Sequence, residues 1–210
     1  MDILKVNDIS VSELEYSNPI TNTFGGQSIF ITNNGQKMRF QTPKCRLENG
    51  ISQFTSDSGD VKLSIVMSLD TNTIAMEAFK TFLEEMDTHN VSSGAKNSLK
   101  WFKKHLSEEV VTKLYRPQFV NNKIKAKVVT KKGEYDGDVF DKNGKKISID
   151  CIKPGCKVRA IIECVGMYFI PNEFGLTWKA VQLKVEEEGM NGYSFIEDED
   201  PTFEDVEPTV

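Results

Sequence analysis

The chain has 210 residues, 39% hydrophobic and 27% charged, with 26 basic side chains against 31 acidic ones. That size fits one domain with tails, or at most two small domains, and no stretch reaches the roughly 18–20 apolar residues that a bilayer-spanning helix needs. The net charge of −5 averages two unlike parts: ten of the 31 carboxylates fall in 186–210, which has no Lys or Arg, so the body 1–185 carries a net +5. Lys96–Arg159 alone holds 17 basic against 7 acidic residues, a net +10. A cationic body with a polyanionic end points to a surface for another polyanion, nucleic acid first, and to a tail that competes for it.

Residues 1–27 are weakly patterned and read as an N-terminal arm. Ser28–Thr32, the turn Asn33-Asn34-Gly35 and the return Lys37–Gln41 form a hairpin pattern that Pro43 ends. Val61–Leu69 alternates Val61, Leu63, Ile65 and Met67 onto one face, as a strand does. The period then changes: Ile74, Ala75, Ala78, Phe79, Phe82, Leu83 and Met86 recur at three and four over 72–89, an amphipathic helix that Thr71, Asn72 or Thr73 would cap. Ala95–Leu106 is a second helical stretch with lysines on its polar side, and Ser107-Glu108-Glu109 opens a third that Pro117 stops. From Lys123 the pattern is β again. Lys123–Thr130 alternates Lys with apolar residues, Asp138–Phe140 and Lys146–Ile149 flank the turn Lys142-Asn143-Gly144, and two long strand-like runs cover Val158–Phe169 and Leu176–Val185.

The expected fold is mainly β with inserted helices (α+β), an OB-fold-like small antiparallel barrel, although a β-sandwich shares the pattern. The expected organisation is an arm over 1–27, a barrel domain over 28–185 with a helical insertion at about 72–116, and a disordered acidic tail over 186–210. The amino-terminal Met1–Lys5 has neither the basic flank nor the apolar run of a signal peptide. An intracellular setting is therefore expected, with Cys45, Cys151, Cys156 and Cys164 reduced and structural.

Catalytic chemistry is hard to assemble. His89 and His105 stand apart, no Ser or Cys lies in a nucleophile motif, and Cys151-x4-Cys156 lacks the spacing of a zinc site. Asp136, Asp138 and Asp141 form an acidic group, but in a calcium-loop register the first ligand position is Val139. The chain is read as a non-enzyme without metal or cofactor. A metal-dependent nuclease using those aspartates, a protein-interaction module and a structural virion protein are the rival readings.

A surface for single strands needs cations to track phosphates and rings to stack on bases. Only four of the 26 basic residues are Arg, which favours charge tracking over the reading of base edges. Lys100, Trp101, Lys103 and Lys104 form one basic-aromatic cluster, and Tyr115 with Arg116 a second. Lys123, Lys125, Lys127, Lys131, Lys132 and Tyr135 form a third, to which Arg159, Tyr168, Trp178 and Lys179 are added from the last strands. Phe102, Phe119 and Phe169 read as core. In the tail, Tyr193, Phe195 and Phe203 stand among Glu197, Asp198, Glu199 and Asp200, a composition suited to docking on a basic apolar groove.

The run KPGCKVRAIIECVGMYFIPNEFGLTWKAVQLKV, Lys153–Val185, resembles the C-terminal strands of single-stranded-DNA-binding proteins of large nucleocytoplasmic DNA viruses. These are similar in plan to the acidic-tailed single-stranded-DNA-binding proteins of phages such as T7. Pro154-Gly155, Gly166-Met167-Tyr168-Phe169 and Phe174-Gly175-x-Thr177-Trp178-Lys179 carry most of the resemblance. It covers about a sixth of the chain strongly. It implies an OB-fold, binding to single-stranded DNA in viral replication, recombination or repair, and a tail that recruits replication proteins. The implied location is the host cytoplasm, in a viral factory, or the nucleus. Self-association is allowed and no membrane is expected.

Overall fold

The computed structural model describes residues 3–21, 26–57, 59–131 and 134–187. Five strands form its frame: β1 (Cys45–Thr55), β2 (Val61–Ser68), β3 (Lys123–Val128), β4 (Lys157–Ile170) and β5 (Glu173–Glu187). β1 pairs with β2 and β2 with β3, both antiparallel. β3 runs parallel to β5, β5 is antiparallel to β4, and β4 returns to β1 through Val158↔Cys45 and Lys157↔Arg46. The circuit β1-β2-β3-β5-β4-β1 is closed, a five-stranded Greek-key barrel and thus an OB-fold.

Strand alternation fills this barrel. Ile65 and Met67 of β2, Ile124, Ala126 and Val128 of β3, Val158, Ala160 and Ile162 of β4, and Trp178, Ala180 and Leu183 of β5 are all buried. The lysines between them in β3 therefore face outward. β1 is the strand that pattern reading does not find, because Glu48-Asn49-Gly50 carries turn chemistry. In the fold that triplet is a bulge between Leu47 and Ile51, with Gly50 at φ +60° and its α-carbon pressed toward the Ile152 carbonyl.

The helices lie between β2 and β3 in the chain: α1 (Ile74–Lys96), α2 (Ser98–Phe102) and α3 (Glu108–Leu114). The Thr73 side chain caps α1 by accepting from the Met76 N–H at 3.2 Å. α1 runs past 89 to Lys96, and α2 is one short turn that ends at Lys103 in the left-handed region. The stripe Met76, Phe79, Phe82, Leu83 and Met86 is buried. Phe82 packs on Phe40, with ring centroids 4.9 Å apart, and Phe40 packs on Trp178 at 5.8 Å. α1 thus joins the barrel core through aromatic contacts.

Beyond the closed circuit, the long β4–β5 hairpin is flanked by added strands. Arg39–Gln41 and Gln27–Ile29 both pair with β4, and Ile20–Thr21 pairs with Gln27–Ile29. The hairpin at Asn34-Gly35 joins Ile31–Asn33 to Gln36–Lys37, but Arg39–Gln41 leaves it for β4. Residues within the expected arm are paired as well, Leu14–Tyr16 with Ile31–Asn33.

β5 continues through Glu187, which corrects the boundary at 186. Glu186 pairs with Arg159 at 3.1 Å, and Glu187 with Lys44 at 2.6 Å and Lys157 at 2.8 Å. Those hydrogen bonds, from Lys157 first and then Lys44, push the Glu187 carboxyl down to about 2. Tyr193, Phe195, Glu197, Asp198, Glu199, Asp200 and Phe203 lie outside the described residues, as does Lys132. Cys45, Cys156 and Cys164 are buried thiols, whereas Cys151 is exposed rather than structural. No helix among the described residues is long and apolar enough to cross a membrane.

Candidate nucleic-acid interface

The outward face of β2, β3 and β5 gathers the cations that single-strand binding needs. Register places one row across the wall: Ser52↔Ser64↔Lys127↔Lys179↔Glu163↔Arg39. Cross-strand partners point the same way, so Lys127, Lys179, Glu163 and Arg39 share one surface. Lys125 lies two residues from Lys127 on β3, and Lys62 two residues from Ser64 on β2. Lys62 is paired directly with Phe54 of β1. Lys62, Lys125 and Lys127 have no carboxylate partner among the described residues. Desolvation first, then the neighbouring Lys62 and Lys125 charges, lowers the Lys127 pKa. These ammonium groups crowd one another and gain by meeting a polyanion.

Phe54 is the ring that pattern reading misses. It is 63% exposed, beside Lys62, at the edge of the lysine face. Its strand was hidden by the bulge, so nothing in the sequence placed it on the lysine side. Tyr168 of β4 and Arg116, which flank Gly175 of β5 from either side, lie farther along the outward face. The Tyr168 hydroxyl donates to Glu173 Oε1 at 3.1 Å, Arg116 Nε donates to Glu173 Oε2 at 2.8 Å, and an added Cβ at Gly175 would meet the Tyr168 hydroxyl oxygen at 3.2 Å. Tyr168 is half-buried and keeps part of its ring open.

Three predicted stacking rings are core instead. Trp101 and Trp178 are each 2% exposed and Tyr115 is 5% exposed. Trp101 packs between Tyr16 and Phe169, at centroid distances of 5.2 and 6.0 Å. Trp178 donates its Nε1–H to the Gln118 side-chain oxygen and packs on Phe40. The Tyr115 hydroxyl donates to Asp87 Oδ1 at 2.6 Å. The polar tips of Trp178 and Tyr115 find partners inside the protein, and Trp101 is enclosed by rings, so none of the three needs a wet site. Tyr135 is likewise tied down, its hydroxyl donating to the Ala180 carbonyl at 3.0 Å.

The remaining cations are scattered. Lys100, Lys103 and Lys104 are exposed at the end of α2, and Lys104 borders a groove with Gln27, Phe102, Phe169 and Pro171, away from β3. Lys123 is paired with Glu48 at 3.0 Å, Lys179 with Glu163 at 3.1 Å, and Arg159 with Glu186. Lys131 is exposed on the small hairpin Thr130–Lys131/Glu134–Tyr135. Asp138 pairs with Lys146 at 2.5 Å, and Asp141 Oδ1 accepts from the Asn143 and Lys145 N–H groups in a turn. No cluster of three or more His, Cys, Asp or Glu able to hold a metal occurs among the described residues.

An OB barrel with a lysine-lined outer wall is the class of protein that fold and surface define. The chain belongs to a protein family of unknown function (DUF5871), whose model matches residues 59–197. No functionally curated protein matches it. Among solved structures it is similar to gp2.5, the single-stranded DNA binding protein encoded by bacteriophage T7, with a TM-score of 0.51 and 13% identity over 76% of this chain and 97% of that one. It also matches the single-stranded DNA-binding protein from bacteriophage Enc34 in complex with single-stranded DNA, with a TM-score of 0.47 and 15% identity over 82% of this chain and 96% of that one. At such identities the likeness to gp2.5 is one of fold.

Proposed function

We propose that the protein binds single-stranded DNA without sequence preference, through the outward face of β2, β3 and β5, and is not an enzyme. The observation that carries this reading is the lysine set Lys62, Lys125 and Lys127, unpaired among the described residues and flanked by the exposed ring of Phe54. Lysines follow phosphates without reading bases, and rings stack on any base. The neighbours' printed names, single-stranded DNA binding proteins of phages, agree with it. The setting we infer is viral DNA replication, recombination or repair. The acidic segment beyond Glu187 would compete with DNA for the lysines or recruit replication proteins.

The test is binding of a fluorescent oligothymidine followed by anisotropy across a salt series. On single strands log K falls by about 0.7 per log unit of salt for each phosphate neutralised. The variant Lys62→Gln/Lys125→Gln/Lys127→Gln should therefore lose about 2 from the slope. Salt-insensitive binding, or none, by both the whole chain and a chain ending at Glu187 would discard the reading.

A further inference from the structure

One carboxylate interrupts the cationic row. Glu163 of β4 is 3% exposed. Its Oε2 accepts from Arg39 Nε at 2.5 Å, its Oε1 lies 3.1 Å from Lys179 Nζ, and Lys37 Nζ approaches Oε1 to 3.6 Å. The side chains of Lys179 and Arg39 remain partly open and that of Lys37 is largely exposed. The four groups carry a net +2, with the anion beneath and the cations above it. Burial would raise the Glu163 pKa, but the hydrogen bonds and charges of Arg39 and Lys179 outweigh it and leave it lowered. Glu163 is therefore held ionised.

A buried ion pair is a weak way to stabilise a fold, because desolvation of both charges offsets most of their attraction. On its own face the cross-strand neighbours of Glu163 are Lys179 and Arg39, so the carboxylate serves those cations rather than the apolar core. Three cations are also more than one carboxylate needs. We propose that Glu163 is a positioning residue of the DNA-binding face, a fixed stand-in for a phosphate that holds Lys179 and Arg39 in the free protein and so limits affinity for a strand. A bound strand has to share those cations with Glu163, and the lysines without a carboxylate, Lys125 and Lys127, dominate binding. This inference rests on the proposed DNA-binding reading of the same face.

The experiment measures oligothymidine binding by the whole chain across a salt series for Glu163→Gln, Lys179→Gln, Lys127→Gln and the double variant Glu163→Gln/Lys179→Gln, with a thermal melt of each. Glu163→Gln should steepen the salt slope by about 0.7 and tighten binding about fivefold at 0.1 M salt, as one further neutralised phosphate does. Lys127→Gln should weaken binding about fivefold at that salt, and Lys179→Gln less than twofold. In the Glu163→Gln background, Lys179→Gln should regain the full fivefold cost. A fall in melting temperature for Glu163→Gln with unchanged affinity and slope would mark a structural ion pair and overturn the proposal. If Glu163→Gln does not fold, the pair Lys127→Gln and Lys179→Gln still decides, since equal losses overturn it. If Lys127→Gln changes nothing, the face itself has been misread, and the inference falls with it.

Discussion

Asp87 of α1 sits in a polar chain threaded through apolar packing. It accepts from the Tyr115 hydroxyl at 2.6 Å and from the Gln118 N–H at 3.2 Å. Asn90 Nδ2 donates to the Tyr115 oxygen at 3.2 Å, and the Tyr16 hydroxyl donates to Asn90 Oδ1 at 2.8 Å. Burial lifts the Asp87 carboxyl to about 6, and the hydrogen bonds from Tyr115 and Gln118 hold it from going higher. A folded-state pKa above the unfolded value adds stability that is complete below the unfolded pKa and disappears as pH rises through about 6. From pH 7 to pH 5 the wild type should therefore gain about 1 kcal/mol relative to Asp87→Asn, read from urea unfolding at both pH values. At the other extreme of burial, Phe54→Ala should leave the melting temperature nearly unchanged, since the ring is mostly exposed. It should cost about 1–3 kcal/mol of oligothymidine affinity, the worth of a stacked base.

At the scale of elements, α1 depends on its cap and β4 on one glycine. Thr73→Ala removes the acceptor for the Met76 N–H and should cost about 1 kcal/mol in chemical denaturation. Gly166 stands at the register shift of β4 with φ +126°, and a Cβ there would lie 2.3 Å from the Ile29 carbonyl oxygen. Gly166→Ala should lower stability well beyond the roughly 1 kcal/mol of an average substitution, because both the backbone conformation and the space are denied to it. Val165, at the register shift, and Phe30, between the strands Gln27–Ile29 and Ile31–Asn33, are both exposed. Differential scanning calorimetry of the two variants separates the small cap effect from the larger strand effect.

For the whole molecule, the division of charge is the governing feature. The body is cationic, the described carboxylates Glu186 and Glu187 are already neutralised by Arg159, Lys44 and Lys157, and eight further carboxylates follow Glu187. A chain ending at Glu187 should bind oligothymidine more tightly than the whole chain, with the difference shrinking as salt screens the tail. Ending it at Val185 instead would strip four basic side chains, Lys44, Lys157, Arg159 and Lys184, of carboxylate partners and mix a structural effect into the comparison. Tryptophan quenching is a poor readout for these titrations, since Trp101 and Trp178 are enclosed. A label on the oligonucleotide avoids the problem.

By itself the sequence determined what local periodicity and charge can encode. It placed the Val61–Leu69 strand, the alternating lysines of β3, the helical insertion's start within Thr71–Thr73, the long final strands and the unlike charges of body and end. Only the tertiary structure decided which of these meet. β1 emerged where local chemistry signals a turn, because pairing to β2 and β4 absorbs Glu48–Gly50 as a bulge. Trp101 went inside by packing its ring on Tyr16, and Tyr115 and Trp178 because Asp87 and Gln118, far away in sequence, accept from their polar tips. Barrel closure brought Lys62, Lys125, Lys127 and Lys179 together and set Glu163 among Lys37, Arg39 and Lys179. Register between strands separated by tens of residues depends on the shared core, and no local pattern records it.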